Sequence, residues 1–158
     1  TNESLKIVGP ILFITAAGGV LGKVITDAGF VTYIKDNATA IKAAGIFFPF
    51  LISAVLKTAQ GSSTVAIITT ASIMGAFNAD GSLMQVLGFT SEMSGALVVM
   101  AIAAGAMTVS HANDSYFWVV TNFSKMNPQQ GYRTQTMLTL IMGITGMISV
   151  WILSLFLI

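Results

Sequence analysis

The sequence predicts an all-α polytopic membrane protein, built from transmembrane helices together with a re-entrant hairpin and a broken helix. Three observations carry that reading. The chain has 158 residues, of which 54% are hydrophobic and only 8% charged, too few charges to cover a water-facing surface, for which about a quarter is usual. Two apolar arms, each too short to span, flank a polar tip at Gln60-Gly61-Ser62-Ser63-Thr64. A further apolar stretch is interrupted by Ser110-His111-Ala112-Asn113-Asp114, which holds the single histidine of the chain.

The elements follow in order. Residues 7–25 read as a first helix containing Ala16-Ala17-Gly18-Gly19, where small side chains let another backbone approach or loosen the helix. For Gly18 and Gly19, helix packing stands beside substrate contact. Residues 26–43 mix Asp27, Lys35, Asp36 and Lys42 with apolar residues and read as interfacial, part loop and part short helix. Residues 44–77 read as the re-entrant hairpin, with arms Gly45 to Leu56 and Val65 to Phe77 around a tip from Lys57 to Thr64. One helix through this region would run to roughly 50 Å, against a hydrocarbon core of ~30 Å, and neither arm alone reaches the ~20 residues of a crossing. The competing reading is a tight surface turn between two tilted helices.

Asn78 to Ser82 read as a surface turn. Residues 95–123 read as the broken helix, with Gly95 to Val109 before the break and Ser115 to Phe123 after it; an ordinary surface loop at 110–114 is the alternative. Lys125 to Arg133 read as a surface loop, and residues 134–158 are long enough for a tilted span. Lys23, Lys35 and Lys42 fall on one side of this arrangement and Lys125 and Arg133 on the other, so the positive-inside rule sets no orientation.

Broken backbone at membrane depth is tolerated only where protein or a polar cavity surrounds it. Ser62, Ser63 or Thr64 can cap one short helix, and Asn113 or Asp114 the other. Their N-termini then direct free N–H groups and positive dipole ends into the breaks, an anion-binding arrangement and a recurring substrate site of secondary transporters. Asp114, with His111 as second choice, is the candidate carrier of a coupling proton. Lys57 is either an interfacial lysine or a functional one that attracts an anion or pairs with Asp114. Asp27, Asp36, Asp80 and Glu92 read as solvated surface charges.

A net charge of +1 makes no electrostatic case for nucleic acid. With no cysteine, one histidine and no metal-ligand cluster, nucleophile elbow or phosphate loop, the sequence calls for no cofactor and no metal. An intramembrane enzyme using His111 and Asp114 lacks a nucleophile, and a channel or a non-transporting subunit is a further competing class. The chain begins TNESLKIVGP, without an initiator Met, and reads as part of a longer one.

Gln60-Gly61-Ser62-Ser63-Thr64-Val65-Ala66, then Ser110-His111-Ala112-Asn113-Asp114 and Phe117-Trp118, resemble the C-terminal part of the gluconate permease family of the ion transporter superfamily. Ala17 to Gly29 is similar to that family's glycine-rich segment, with Ala28 where a serine is common. The resemblance covers essentially the whole chain. It implies one of two inverted repeats of an elevator-type transporter, in a homodimer in a bacterial inner membrane, with the N-terminal half absent here. It implies proton-coupled symport of gluconate or a related small hydroxy or amino carboxylate; a sodium-coupled dicarboxylate or citrate-type carrier is the alternative. Carried over by motif, Gln60, Gly61, Ser62, Ser63 and Thr64 would form the tip and His111, Asn113 and Asp114 the facing break. Ser63 stands where many relatives have alanine, and Tyr116 adds bulk beside the break.

Overall fold

The structure, a computed structural model, describes residues 13, 16, 20, 23–24, 26–36 and 41–157. Gly18 and Gly19, and most of the expected helix 7–25, lie outside the described residues. Every regular element among the described residues is helical. A π-helical turn, Thr26–Phe30, bends at Gly29 and leads into the short helix α1, Val31–Asp36. Asp27 and Asp36 are exposed, and Asp27 pairs with Lys23.

Two helices form the middle of the chain. α2 is Phe47–Gln60, 14 residues, and α3 is Ser63–Met74, 12 residues. At about 1.5 Å per residue both fall well short of ~30 Å. Pro49 sits in the first turn of α2, where a missing N–H costs nothing. The first arm runs further than expected, because Lys57, Ala59 and Gln60 are good helix formers, Thr58 bonds its hydroxyl back to the Ala54 carbonyl, and Gly61 stops the helix. Gly61 takes a left-handed φ of 76° and returns its N–H to the Lys57 carbonyl. Ser62 then starts α3 by accepting from the N–H of Val65 at 3.3 Å.

α4, Leu83–Leu87, is capped by Ser82, and α5, Glu92–Met107, starts from a reciprocal Ser91–Ser94 capping box. α5 is the central element. It packs against α2, α3 and α8, and its Leu97, Val98, Ala101 and Ile102 join Ile73, Met74, Met147 and Val150 in the core. Gly105 lets α2 come close: a Cβ there would lie 2.4 Å from the Phe50 carbonyl oxygen. Gly143 does the same for α8, where a Cβ would lie 2.1 Å from Thr108 Oγ1.

α6 is Ser115–Phe123. The region read as a surface loop through Arg133 is already helical from Pro128: α7, Pro128–Gly131, continues through a π-helical turn, Tyr132–Thr136, into α8, Met137–Leu157. Asn127 explains the early start, since it forms a capping box with Gln130 and places Pro128 at the first helical position. The 30-residue helix Pro128–Leu157 is, among the described residues, the one helix long and apolar enough to cross a membrane. It exposes Ile141, Met142, Ile148, Leu155 and Phe156, and is apolar nearly all round, as a helix surrounded by lipid or protein is.

Candidate functional site

The two interruptions meet. An ideal Cβ on Gly61 would lie 2.2 Å from the carbonyl oxygen of Asn113, so the turn between α2 and α3 touches the backbone between α5 and α6 directly. Only glycine satisfies both the left-handed backbone and the missing space there.

The contact is held by polar groups that helix ends leave unpaired. α2 ends with free carbonyls, which in a dry environment need donors. Asn113 Nδ2 donates to the Thr58 oxygen at 2.8 Å and to the Ala59 oxygen at 3.3 Å. His111 Nε2 donates to the same Thr58 oxygen at 3.0 Å, since a carbonyl only accepts. Lys57 Nζ donates to the Gly61 oxygen at 2.9 Å. Side chains of the break thus cap the last turn of α2.

Asp114 is the N-cap of α6. Its Oδ1 accepts from the N–H of Tyr116 at 3.0 Å. Its Oδ2 accepts from Lys57 Nζ at 2.5 Å and from Ser110 Oγ at 2.6 Å. The Lys57 and Asp114 side chains are 2% and 9% exposed, which makes this a buried ion pair across the junction. Removing one member of such a pair costs far more than removing both, because an unpaired buried charge remains. Of the two readings open for Lys57, the structure has the paired one.

The rest of the break is anchored from the π-helical turn Tyr132–Thr136 and from α8. Thr136 Oγ1 donates to the Ser110 carbonyl at 2.7 Å, and the Ser110 N–H donates to Thr139 Oγ1 at 2.9 Å. Val109 adopts a φ of 51°, costly for a β-branched residue and tolerated because its neighbours on both sides are fixed. Ser63 Oγ donates to the Ala106 carbonyl at 2.8 Å and ties the start of α3 to the end of α5. Trp118 Nε1 donates to the Ala112 carbonyl at 2.8 Å from the far side.

An open cleft of about 330 Å³ lies over the junction, lined by Gln60, Gly61, Ser62, Ser63, Thr64, Asn113, Asp114, Ser115 and Tyr116. It receives the first turns of both α3 and α6, whose leading N–H groups have no intrahelical acceptor. A second cleft of about 240 Å³ reaches Lys57, Ser110 and Thr139 and shares Ser63, Asp114 and Tyr116 with the first.

Of the expected site residues, Gln60 through Thr64, Asn113 and Asp114 line one cleft. His111 does not line it: its side chain reaches the Thr58 carbonyl, whereas that of Asp114 reaches Lys57 and Ser110. Lys57, Ser110 and Tyr116 also belong to the junction: Lys57 stood in the sequence as one of two readings, Tyr116 as bulk beside the break and Ser110 within the stretch 110–114, none with an assigned place in the site. The support from Thr136 and Thr139, 26 and 29 residues from Ser110, had no local signal. Among the described residues no group of three or more His, Cys, Asp or Glu gathers as a metal site would require.

An all-helical, strongly apolar chain whose helix interruptions face each other is of the class of polytopic membrane proteins. The family model for GntP family permeases matches residues 1–156, and the chain belongs to that family. It is 33% identical over 150 residues to the inner membrane permease YgbN of Escherichia coli (strain K12), covering 95% of this chain and 31% of the relative. It is 30% identical over 149 residues to the Gnt-II system L-idonate transporter of the same organism, covering 94% of this chain and 32% of that protein. It is 30% identical over 154 residues to the gluconate permease of Pseudomonas aeruginosa, covering 98% and 32%. The chain therefore spans about a third of the length of these relatives. No solved structure matches it. The family is one of permeases, which answers the intramembrane-enzyme alternative.

Proposed function

We propose that this chain supplies one half of the substrate site of a proton-coupled symporter for gluconate or a related small hydroxy carboxylate, in a bacterial inner membrane. The observation that carries the reading is the shared cleft of α3 and α6, two helix N-termini directed at one volume beside a buried ion pair. Helix N-termini favour a carboxylate through their N–H groups and dipoles, and the hydroxyls of Ser62, Ser63 and Thr64 suit a polyhydroxy chain. The names of the relatives, gluconate permease and L-idonate transporter, supply the substrate class.

In this reading α2 and α3 form a re-entrant hairpin, and α5 and α6 are the halves of one broken helix that crosses the membrane. The remaining part of the site comes from the rest of the protein, arranged as an inverted repeat in a homodimer that moves its transport domain like an elevator. Asp114 is the coupling residue: its carboxylate is the acidic group at the junction, and a proton arriving on Oδ2 takes the position that the Lys57 ammonium now occupies.

The test is uptake of labelled D-gluconate by the full-length protein in proteoliposomes. An inward proton gradient without sodium is expected to drive accumulation. Accumulation that needs a sodium gradient, or no carboxylate transport under either gradient, would overturn proton symport.

A further inference from the structure

We propose that Lys57 is the substrate's own counter-ion, held by Asp114 in the empty site and handed to the substrate carboxylate when Asp114 takes up a proton. The inference rests on the carboxylate-symporter reading and adds to it a specificity-determining residue.

The Lys57 ammonium has a neutral partner, the Gly61 carbonyl oxygen, and a charged one, Asp114 Oδ2. At 2% exposure its side chain is almost wholly withdrawn from water. Protonation of Asp114 therefore leaves a buried cation without compensation, a state that proteins avoid. The junction offers a remedy. Asp114 lies between the two clefts and lines both, Lys57 opens onto one of them, and Gly61 forms the wall of the other. An anion entering where the carboxylate of Asp114 now faces the cleft reaches the same ammonium. The groups around Asp114 bring no second carboxylate: α2 presents Lys57, the break His111, α6 Tyr116, α5 Met107 and α8 Thr139.

The charges then balance at each stage. The empty site holds one cation and one carboxylate. The loaded site holds the same cation, a neutral Asp114 and one substrate carboxylate, the proton having come from the medium to Asp114. Neither proton nor anion is accommodated alone, which ties one to the other. The same count selects monocarboxylates. Among the described residues lining the two clefts Lys57 is the one cation, so a second substrate carboxylate would meet no partner among them.

Equilibrium binding of D-gluconate to the purified full-length protein, measured by calorimetry at several pH values, tests this. The wild type is expected to bind more tightly as pH falls, with one proton taken up per gluconate. Asp114→Asn keeps Lys57 free, so its affinity should no longer depend on pH. Lys57→Met combined with Asp114→Asn removes both charges, so no unpaired charge remains to unfold it. This variant is expected to bind roughly tenfold to a hundredfold more weakly than Asp114→Asn, the effect of one charge-assisted hydrogen bond. Double-variant affinity equal to that of Asp114→Asn would make Lys57 a structural partner only and overturn the inference while sparing the symporter reading. D-Glucarate bound as tightly as D-gluconate would overturn the charge match. Absence of any gluconate binding by the wild type would overturn the carboxylate reading and this inference with it.

Discussion

Gly61 rests directly on the backbone of Asn113, so closely that a methyl group on Gly61 would fall 2.2 Å from the Asn113 oxygen and 2.6 Å from its carbonyl carbon. Two interruptions separated by about a third of the chain are one structure because this position has no side chain. Gly61→Ala is expected to push the two apart, abolishing transport and lowering Tm. Gly88→Ala is the control. Gly88 has a comparable φ of 93° but nothing within 4 Å of the added Cβ, so it carries only the backbone cost of about 1 kcal/mol and leaves transport intact. Equal loss in both variants would mean that backbone strain, and not the contact, explains Gly61.

The caps of the two short helices were legible in the sequence because they are local. Ser62 and Asp114 each bind an N–H two or three residues ahead, and a polar residue before an apolar run announces that. That each arm is too short to span was legible because a span has a fixed length, but the end of the first arm at Gln60 was not. The pairing of Lys57 with Asp114 was one of two open readings, and 57 residues of separation left nothing in the sequence to decide it. The anchoring of Ser110 by Thr136 and Thr139 was not legible at all. Threonines in an apolar helix usually bond their own preceding turn, as Thr145 does to Ile141. The helical start at Pro128 was hidden by composition: Asn127, Pro128, Gln129 and Gln130 look like a loop and act as a cap.

The buried pair gives a stability prediction. Lys57→Met leaves Asp114 buried without its cation and is expected to destabilise the folded protein by about 3–5 kcal/mol. Adding Asp114→Asn should recover much of that loss, because no charge is then stranded. Thermal melts of the four proteins in detergent form the double-mutant cycle; additive losses would contradict a direct pair.

Asn113 and His111 share the work of capping α2 unequally. Asn113 serves Thr58 and Ala59, whereas His111 serves only Thr58. Asn113→Ala is therefore expected to speed amide hydrogen exchange at Gly61 and in the first turn of α3 by more than tenfold, at about 1.4 kcal/mol per factor of ten. His111→Ala should speed it less. The reverse order would show that the histidine holds the junction.

Thr139 reaches the break from α8 and accepts the N–H of Ser110. Thr139→Val keeps the shape and removes the acceptor, leaving a buried donor unpaired at a cost of about 1–3 kcal/mol. Thr139→Ser retains it. Tm and uptake rate should fall for valine and stay near wild type for serine, and equal behaviour of the two would assign the residue to packing alone.

The central claim is that the junction of hairpin tip and broken helix couples proton to substrate through Asp114. The most direct measurement compares proton-driven D-gluconate accumulation with gluconate–gluconate exchange in proteoliposomes, for wild type and Asp114→Asn of the full-length protein. The account predicts that the variant loses uphill accumulation and keeps exchange, since exchange needs the site but not the proton. Uphill accumulation at the wild-type level in Asp114→Asn would contradict it and move the coupling proton to another residue.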